Sequence, residues 1–223
     1  MELLRSVLKS LPEFQELTAA LEGGKSPAAV SGLAAVHRAH FAAALGQETG
    51  RPVVVVCADE GEAGRMARDL SYLTGGEVPV LASRSFVFHS IATVSRQWEH
   101  RRLDLLWRLR RGELPCLVAT VEALQQRTLP PQVLDSACTV LEPGQQADLN
   151  QLTEALTAAG YVRCDQVEGA GQFALRGGIL DVYSPGMAAP VRAEFWGDEL
   201  DTMGTFDPST QRRTENVDRA VLL

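Results

Sequence analysis

Pro52-Val-Val-Val-Val-Cys-Ala58 decides how the first part of the chain is read. It is an uninterrupted β-branched run, the pattern of a strand buried on both faces of a parallel sheet, where alternation with polar residues is not required. Asp59-Glu-Gly-Glu62 follows as an acidic first helical turn, whose carboxylates cap free N–H groups and face the positive end of the helix dipole. Upstream, Ala28-Ala-Val-Ser-Gly-Leu33 leads into a helix-like stretch over 34–45. Downstream, Val78-Pro-Val-Leu-Ala82 reads as a further strand, and a helix is predicted from Ser95 to Arg111 with Trp98, Leu105, Leu106 and Leu109 on one face. Gly112 supplies its stop. Cys116-Leu-Val-Ala119 then precedes a helical 121–127. Strands alternating with helices at this spacing predict an α/β fold built on a doubly wound parallel sheet.

Beyond Pro130-Pro131 the pattern changes. Cys138-Thr-Val-Leu-Glu142 is a short strand, Asp148 caps a helix running through Ala159, and Gly160 ends it. Extended segments follow at Phe173–Tyr183, Val191–Trp196 and Leu200–Phe206. This is α+β with antiparallel strands, so the chain divides into an α/β domain over 1–136 and a smaller α+β domain over 137–223.

The bulk composition is that of a folded globular protein, at 45% hydrophobic and 22% charged, which excludes disordered and coiled-coil classes. No run of 18 uncharged apolar residues and no signal-peptide core is present, so a cytoplasmic protein without membrane contact is expected. The cysteines at 57, 116, 138 and 164 are never two or three apart, which leaves free thiols rather than a zinc ribbon or redox pair. The net charge of −7 is carried entirely by 137–223, where six Lys and Arg face thirteen Asp and Glu. Such a segment matches DNA phosphates poorly and a basic protein surface well.

A phosphate-cradling loop needs Gly-x-x-x-x-Gly-Lys-Ser/Thr directly after a strand. Gly24-Lys25-Ser26 has only the second half and precedes the first strand, while Val30-Ser-Gly-Leu-Ala-Ala-Val-His-Arg38, where the loop belongs, has one Gly, no Lys and, after that Gly, no Ser or Thr to hold magnesium. The nucleotide site is therefore degenerate and no cofactor is expected. Val53–Glu60 resembles a strand ending in a metal-holding acidic pair, which helix capping explains without metal. His37 and His40 lie one turn apart but lack a third ligand, and His89 has no nucleophile or base partner in view. Hence no catalytic or metal-binding residue is assigned. Arg101, Arg102, Arg108, Arg110 and Arg111 read as a solvated helix end rather than a nucleic-acid patch.

In Pro190-Val-Arg-Ala-Glu-Phe-Trp196, period-two alternation puts Val191, Ala193 and Phe195 on one face and Arg192, Glu194 and Trp196 on the other. The first face is core. The second pairs a large aromatic with an arginine, a combination typical of interface anchors. Arg176 joins it where directly opposed residue numbers sum to an even value, a parity that a bulge at Gly177-Gly178 would break.

Tyr161–Val167 (YVRCDQV), Phe173–Tyr183 (FALRGGILDVY), Arg192–Asp201 (RAEFWGDELD) and Phe206–Arg212 (FDPSTQR) resemble the bacterial transcription-repair coupling factor family, Mfd, and more loosely the excision-repair helicase UvrB. Arg84–His89, Arg96–His100 and Val118–Leu124 extend the resemblance over nearly the whole chain. It implies a helicase-lobe-like domain that has lost nucleotide binding and the DNA-gripping hairpin of UvrB, followed by a small domain that docks onto UvrA. The UvrA-contacting positions carried over are Arg176, Arg192 and Trp196, the last commonly Phe in the family. It further implies a non-catalytic N-terminal module that recruits UvrA to stalled transcription complexes for nucleotide excision repair. RNA-polymerase contacts and the ATP-dependent DNA translocase motor belong to family domains outside these residues. The rival reading is a nucleotide-binding ATPase lobe awaiting a partner lobe.

Overall fold

The computed structural model describes residues 7–84 and 96–223. His89 and Ser95 fall outside them. The fold is α/β, with a three-stranded parallel sheet and a separate, mostly antiparallel sheet. The described chain divides into two compact units, one joining Arg108–Arg127 to the residues before 85, the other joining Thr128–Leu223 to residues 96–107.

In the first unit, helices α1 (Pro12–Glu22) and α2 (Ala35–Thr49) precede β1 (Val53–Cys57), α3 (Glu60–Thr74) and β2 (Val80–Leu81). After α4 (Gln97–Arg110), whose residues up to Trp107 belong to the second unit, the chain returns through β3 (Cys116–Thr120) and α5 (Val121–Gln125). The sheet order is β1-β3-β2, with Val55 opposite Val118. Ala39, Ala43, Met66 and Leu70 from α2 and α3 pack on Cys57, Cys116 and Val118 to form the core. The valine run is a strand, but not one buried on both faces. Lying at the sheet edge, β1 buries only its Val53, Val55 and Cys57 side, and Val54 and Val56 are exposed; the central β3 takes the fully buried role.

Asp59 caps α3 by accepting the Glu62 N–H at 2.8 Å, and Glu62 returns a carboxylate oxygen to the Ala58 N–H at 3.1 Å. This arrangement, like a capping box but with Glu62 reaching the residue before the N-cap, accounts for both acids. Arg102, read as part of a solvated cluster, is instead buried, with its guanidinium 5.5 Å from the Trp98 ring centroid. Its stem and charge thus find an aromatic face rather than water.

The second unit contains α6 (Pro131–Ala137), β4 (Thr139–Leu141), α7 (Leu149–Ala158) and β5 (Val162–Arg163). These are followed by β6 (Gln172–Arg176), β7 (Ile179–Tyr183), β8 (Val191–Trp196), β9 (Glu199–Phe206), β10 (Arg213–Asn216) and β11 (Ala220–Leu222). Six strands form a sheet in the order β10-β9-β8-β7-β6-β5, antiparallel except where β5 joins β6, while β11 pairs with β4. Asp148 caps α7 through the N–H groups of Asn150 and Gln151. Leu152 and Leu156 of α7 pack with Phe173, Leu180, Val191, Ala193 and Phe195 beneath one sheet face.

Phe173–Tyr183 is not a single extended segment. Gly177, at φ +61°, and Gly178 turn the chain back, and the segment splits into β6 and β7. The parity condition on Arg176 presumed that its strand lies beside β8, yet β7 intervenes. Arg176 pairs with Ile179 and Ile179 with Glu194. Each step exchanges an even number for an odd one, and two steps return Arg176 to the face of Arg192.

Candidate functional site

On the sheet face opposite α7, one row reads Arg176, Ile179, Glu194, Thr202, and the next reads Ala174, Asp181, Arg192, Gly204. The predicted residues Arg176, Arg192 and Trp196 therefore share a face, but their surroundings differ. Arg192 is mostly covered, its side chain 18% exposed; it donates through Nε to Oδ1 of Asp181 at 2.7 Å and through Nη2 to Oδ2 at 2.8 Å. Its Nη1 donates to the Gln211 carbonyl at 3.3 Å, and its guanidinium lies 4.8 Å from the centroid of the buried Phe206 ring. The hydrogen bonds to Asp181 outweigh burial and hold Arg192 more firmly protonated than a free arginine.

Asp181 is the residue that sequence reasoning missed. Its side chain is 1% exposed and accepts a third bond, from Nη2 of Arg176 at 2.6 Å. A carboxylate in an otherwise apolar Ile-Leu-Asp-Val-Tyr strand was the available signal, since such a charge is rarely buried without cations around it. Arg176 itself remains 52% exposed and makes only that hydrogen bond among the described residues.

Trp196, 86% exposed, ends β8 directly opposite Glu199. Ile179, also exposed and also missed, stands between Arg176 and Glu194 in register, diagonal to Trp196. The Glu194 carboxylate takes Nη1 of Arg213 at 2.9 Å. Gly204 permits that bridge: a Cβ there would overlap the Arg213 side chain and the Glu215 carbonyl. The result is an exposed pair of apolar side chains flanked by one incompletely bonded arginine and by acids. Chemically it can bury apolar area and offer N–H donors to a partner carboxylate.

Among its described residues, the first unit carries nothing comparable. A cavity of about 460 Å³ lies among Ala43, Gly46, Val53, Leu109 and Cys116, at the N-terminal ends of β1 and β3. Open α/β sheets bind ligands beyond the opposite, carboxyl ends. There, Asp59 accepts the Glu62 N–H of α3 and Thr120 the Ala123 N–H of α5. Among the described residues, no three His, Cys, Asp or Glu side chains gather as metal ligands, and no helix is long and apolar enough to cross a membrane. No disulfide joins the four cysteines, of which Cys57 and Cys116 are buried and the other two half-buried.

Residues 140–223 match the family model of the UvrB interaction domain. Over 218 residues, 97% of this chain, the sequence is 30% identical to the transcription-repair-coupling factor of Bacillus subtilis. The chain belongs to the transcription-repair coupling factor family. The relative in Myxococcus xanthus is 34% identical over 197 residues, 82% of the chain, and that of Escherichia coli 30% over 185 residues, 83% of the chain. The alignments cover 18%, 16% and 16% of those three proteins, so the chain spans less than a fifth of the coupling factors it matches. The arginine and tryptophan face lies wholly inside the region matched as a UvrB interaction domain.

Proposed function

We propose that the second unit docks onto UvrA through the sheet face that carries Arg176, Arg192 and Trp196, with Ile179 extending the apolar contact. The supporting observation is a tryptophan 86% exposed on the same sheet face as a half-exposed arginine, inside a UvrB interaction domain. In this reading the chain is a non-catalytic, cytoplasmic module that recruits UvrA to stalled transcription complexes for nucleotide excision repair. RNA polymerase and DNA are engaged through other parts of the full-length family protein. The first unit is a helicase-like lobe with a degenerate nucleotide site, since Val30–Arg38 has no Lys, no Ser or Thr after its single glycine and no second glycine where phosphates would sit.

Titration of the chain with UvrA tests the proposal. Saturable binding that Trp196→Ala weakens roughly thirtyfold or more is expected. Wild-type affinity in both Trp196→Ala and Arg176→Ala would overturn it. The alternative, a nucleotide-binding ATPase lobe, requires micromolar magnesium-ATP binding by calorimetry, and none is expected.

A further inference from the structure

We infer that Asp181 is a positioning residue for this docking surface, and that Arg192 serves the partner through Asp181 and Arg176 rather than by touching it. The inference rests on the UvrA-docking reading. Each of the three guanidinium nitrogens of Arg192 is engaged within the unit, and one side of its plane lies against Phe206. Arg176 is the opposite case: exposed, and held at one nitrogen only.

Both arginines donate through Nη2 to the same oxygen, Oδ2 of Asp181. Two like charges are thereby drawn together by one buried carboxylate, which neutralises one of them. The remaining positive charge is presented by the exposed member, Arg176, with its position fixed before a partner arrives. Pre-ordering a long side chain removes an entropic cost from binding. Without the Asp181 charge the two guanidinium groups repel, and Arg176, tied at one point, is the one free to leave. The partner chemistry that follows is a carboxylate on UvrA taken by the open donors of Arg176, beside an apolar recess for Trp196 and Ile179.

A double-mutant cycle on the 223-residue chain, read as UvrA affinity, tests this. Asp181→Asn keeps the shape and removes the charge. It is expected to weaken binding on the order of tenfold, and to change it less than about twofold once Arg176→Ala is present. The Arg176 side-chain NH signal in nitrogen-15 NMR, ordered in the parent chain, is expected to broaden or average out in Asp181→Asn. Where Asp181→Asn does not fold, Arg192→Lys takes its place in the same cycle, with the same vanishing effect expected in the Arg176→Ala background. Independent, multiplying effects of Arg192→Lys and Arg176→Ala would mean that Arg192 contacts the partner directly, overturning the inference while leaving the docking site intact. Unchanged affinity in Arg176→Ala and Trp196→Ala removes the docking site and the inference with it.

Discussion

The carbonyl oxygen of Gly178 accepts the N–H of Phe195 at 2.7 Å, tying the turn between β6 and β7 to the far end of β8. The approach leaves no room for a side chain: a Cβ on Gly178 would stand 2.7 Å from that neighbour's carbonyl oxygen, well inside van der Waals contact. Gly178→Ala must push the turn off β8, and Arg176 and Ile179 flank that turn on either side. A loss of about 1–3 kcal/mol in chemical denaturation is expected, together with weaker UvrA binding. Unaltered stability would mean that the turn is not clamped as described.

Phe195 and Trp196 are chain neighbours with opposite fates, and alanine separates them. Phe195 belongs to the core beneath the sheet, so Phe195→Ala is expected to cost about 3–5 kcal/mol by opening a cavity. Trp196→Ala removes a side chain that contributes little to that core, and its effect on stability is expected within about 0.5 kcal/mol. Thermal unfolding of the two variants checks the face assignment. The opposite ranking would place Trp196 in the core.

Arg192→Ala is expected to destabilise the second unit. Alternation alone makes Arg192 a solvent-side residue that could be truncated without harm to the fold. The structure makes it the two-point partner of a carboxylate that is 1% exposed. Removing one member of such a pair leaves a buried charge poorly compensated, at about 3 kcal/mol, with Arg176 retaining one bond to Asp181. Arg176→Ala should change the denaturation midpoint far less, because Asp181 then keeps the fork of Arg192. Equal midpoints for the two variants would contradict this division of roles.

The contrast shows what the sequence could and could not carry. The positions of β1 to β4, β8 and β9, the capping acids Asp59 and Asp148 and the stop at Gly112 are local, set within three or four residues, and they were legible, whereas the short β5, β10 and β11 were not read as strands. The burial of β1 was not, because Val54 and Val56 read the same at a sheet edge as at its centre; which neighbour lies beside them is a tertiary fact. The Gly177-Gly178 turn was visible as a disturbance but not as a reversal, since two glycines suit a bulge and a hairpin alike. Arg192 and Trp196 were placed on their common face by period two alone. The status of Arg192 depends on Asp181, eleven residues away and adjacent only through the β7–β8 register. Family resemblance supplied Arg176 without its reason for being there.

Alkaline pH should expose one further buried contact. Tyr161 is buried with its hydroxyl 2.8 Å from Ser184 Oγ and 2.7 Å from the Leu223 carbonyl oxygen. Burial, the dominant cause, disfavours the phenolate and pushes the pKa up from 10.0 to about 12, although the hydrogen bond with Ser184 works in the other direction. The folded state therefore holds the proton more tightly than the unfolded state does. The stability associated with that proton is complete below pH 10 and is lost as the pH rises towards about 12. The expected result is a stability curve that falls across this interval with a steeper slope in the parent chain than in Tyr161→Phe. The variant itself should be less stable at neutral pH by about 1 kcal/mol, having left Ser184 and the Leu223 carbonyl short of a partner. Denaturation series at matched ionic strength compare the slopes, and ultraviolet titration follows phenolate formation directly; parallel slopes, or a Tyr161 that ionises near 10, would refute the assignment.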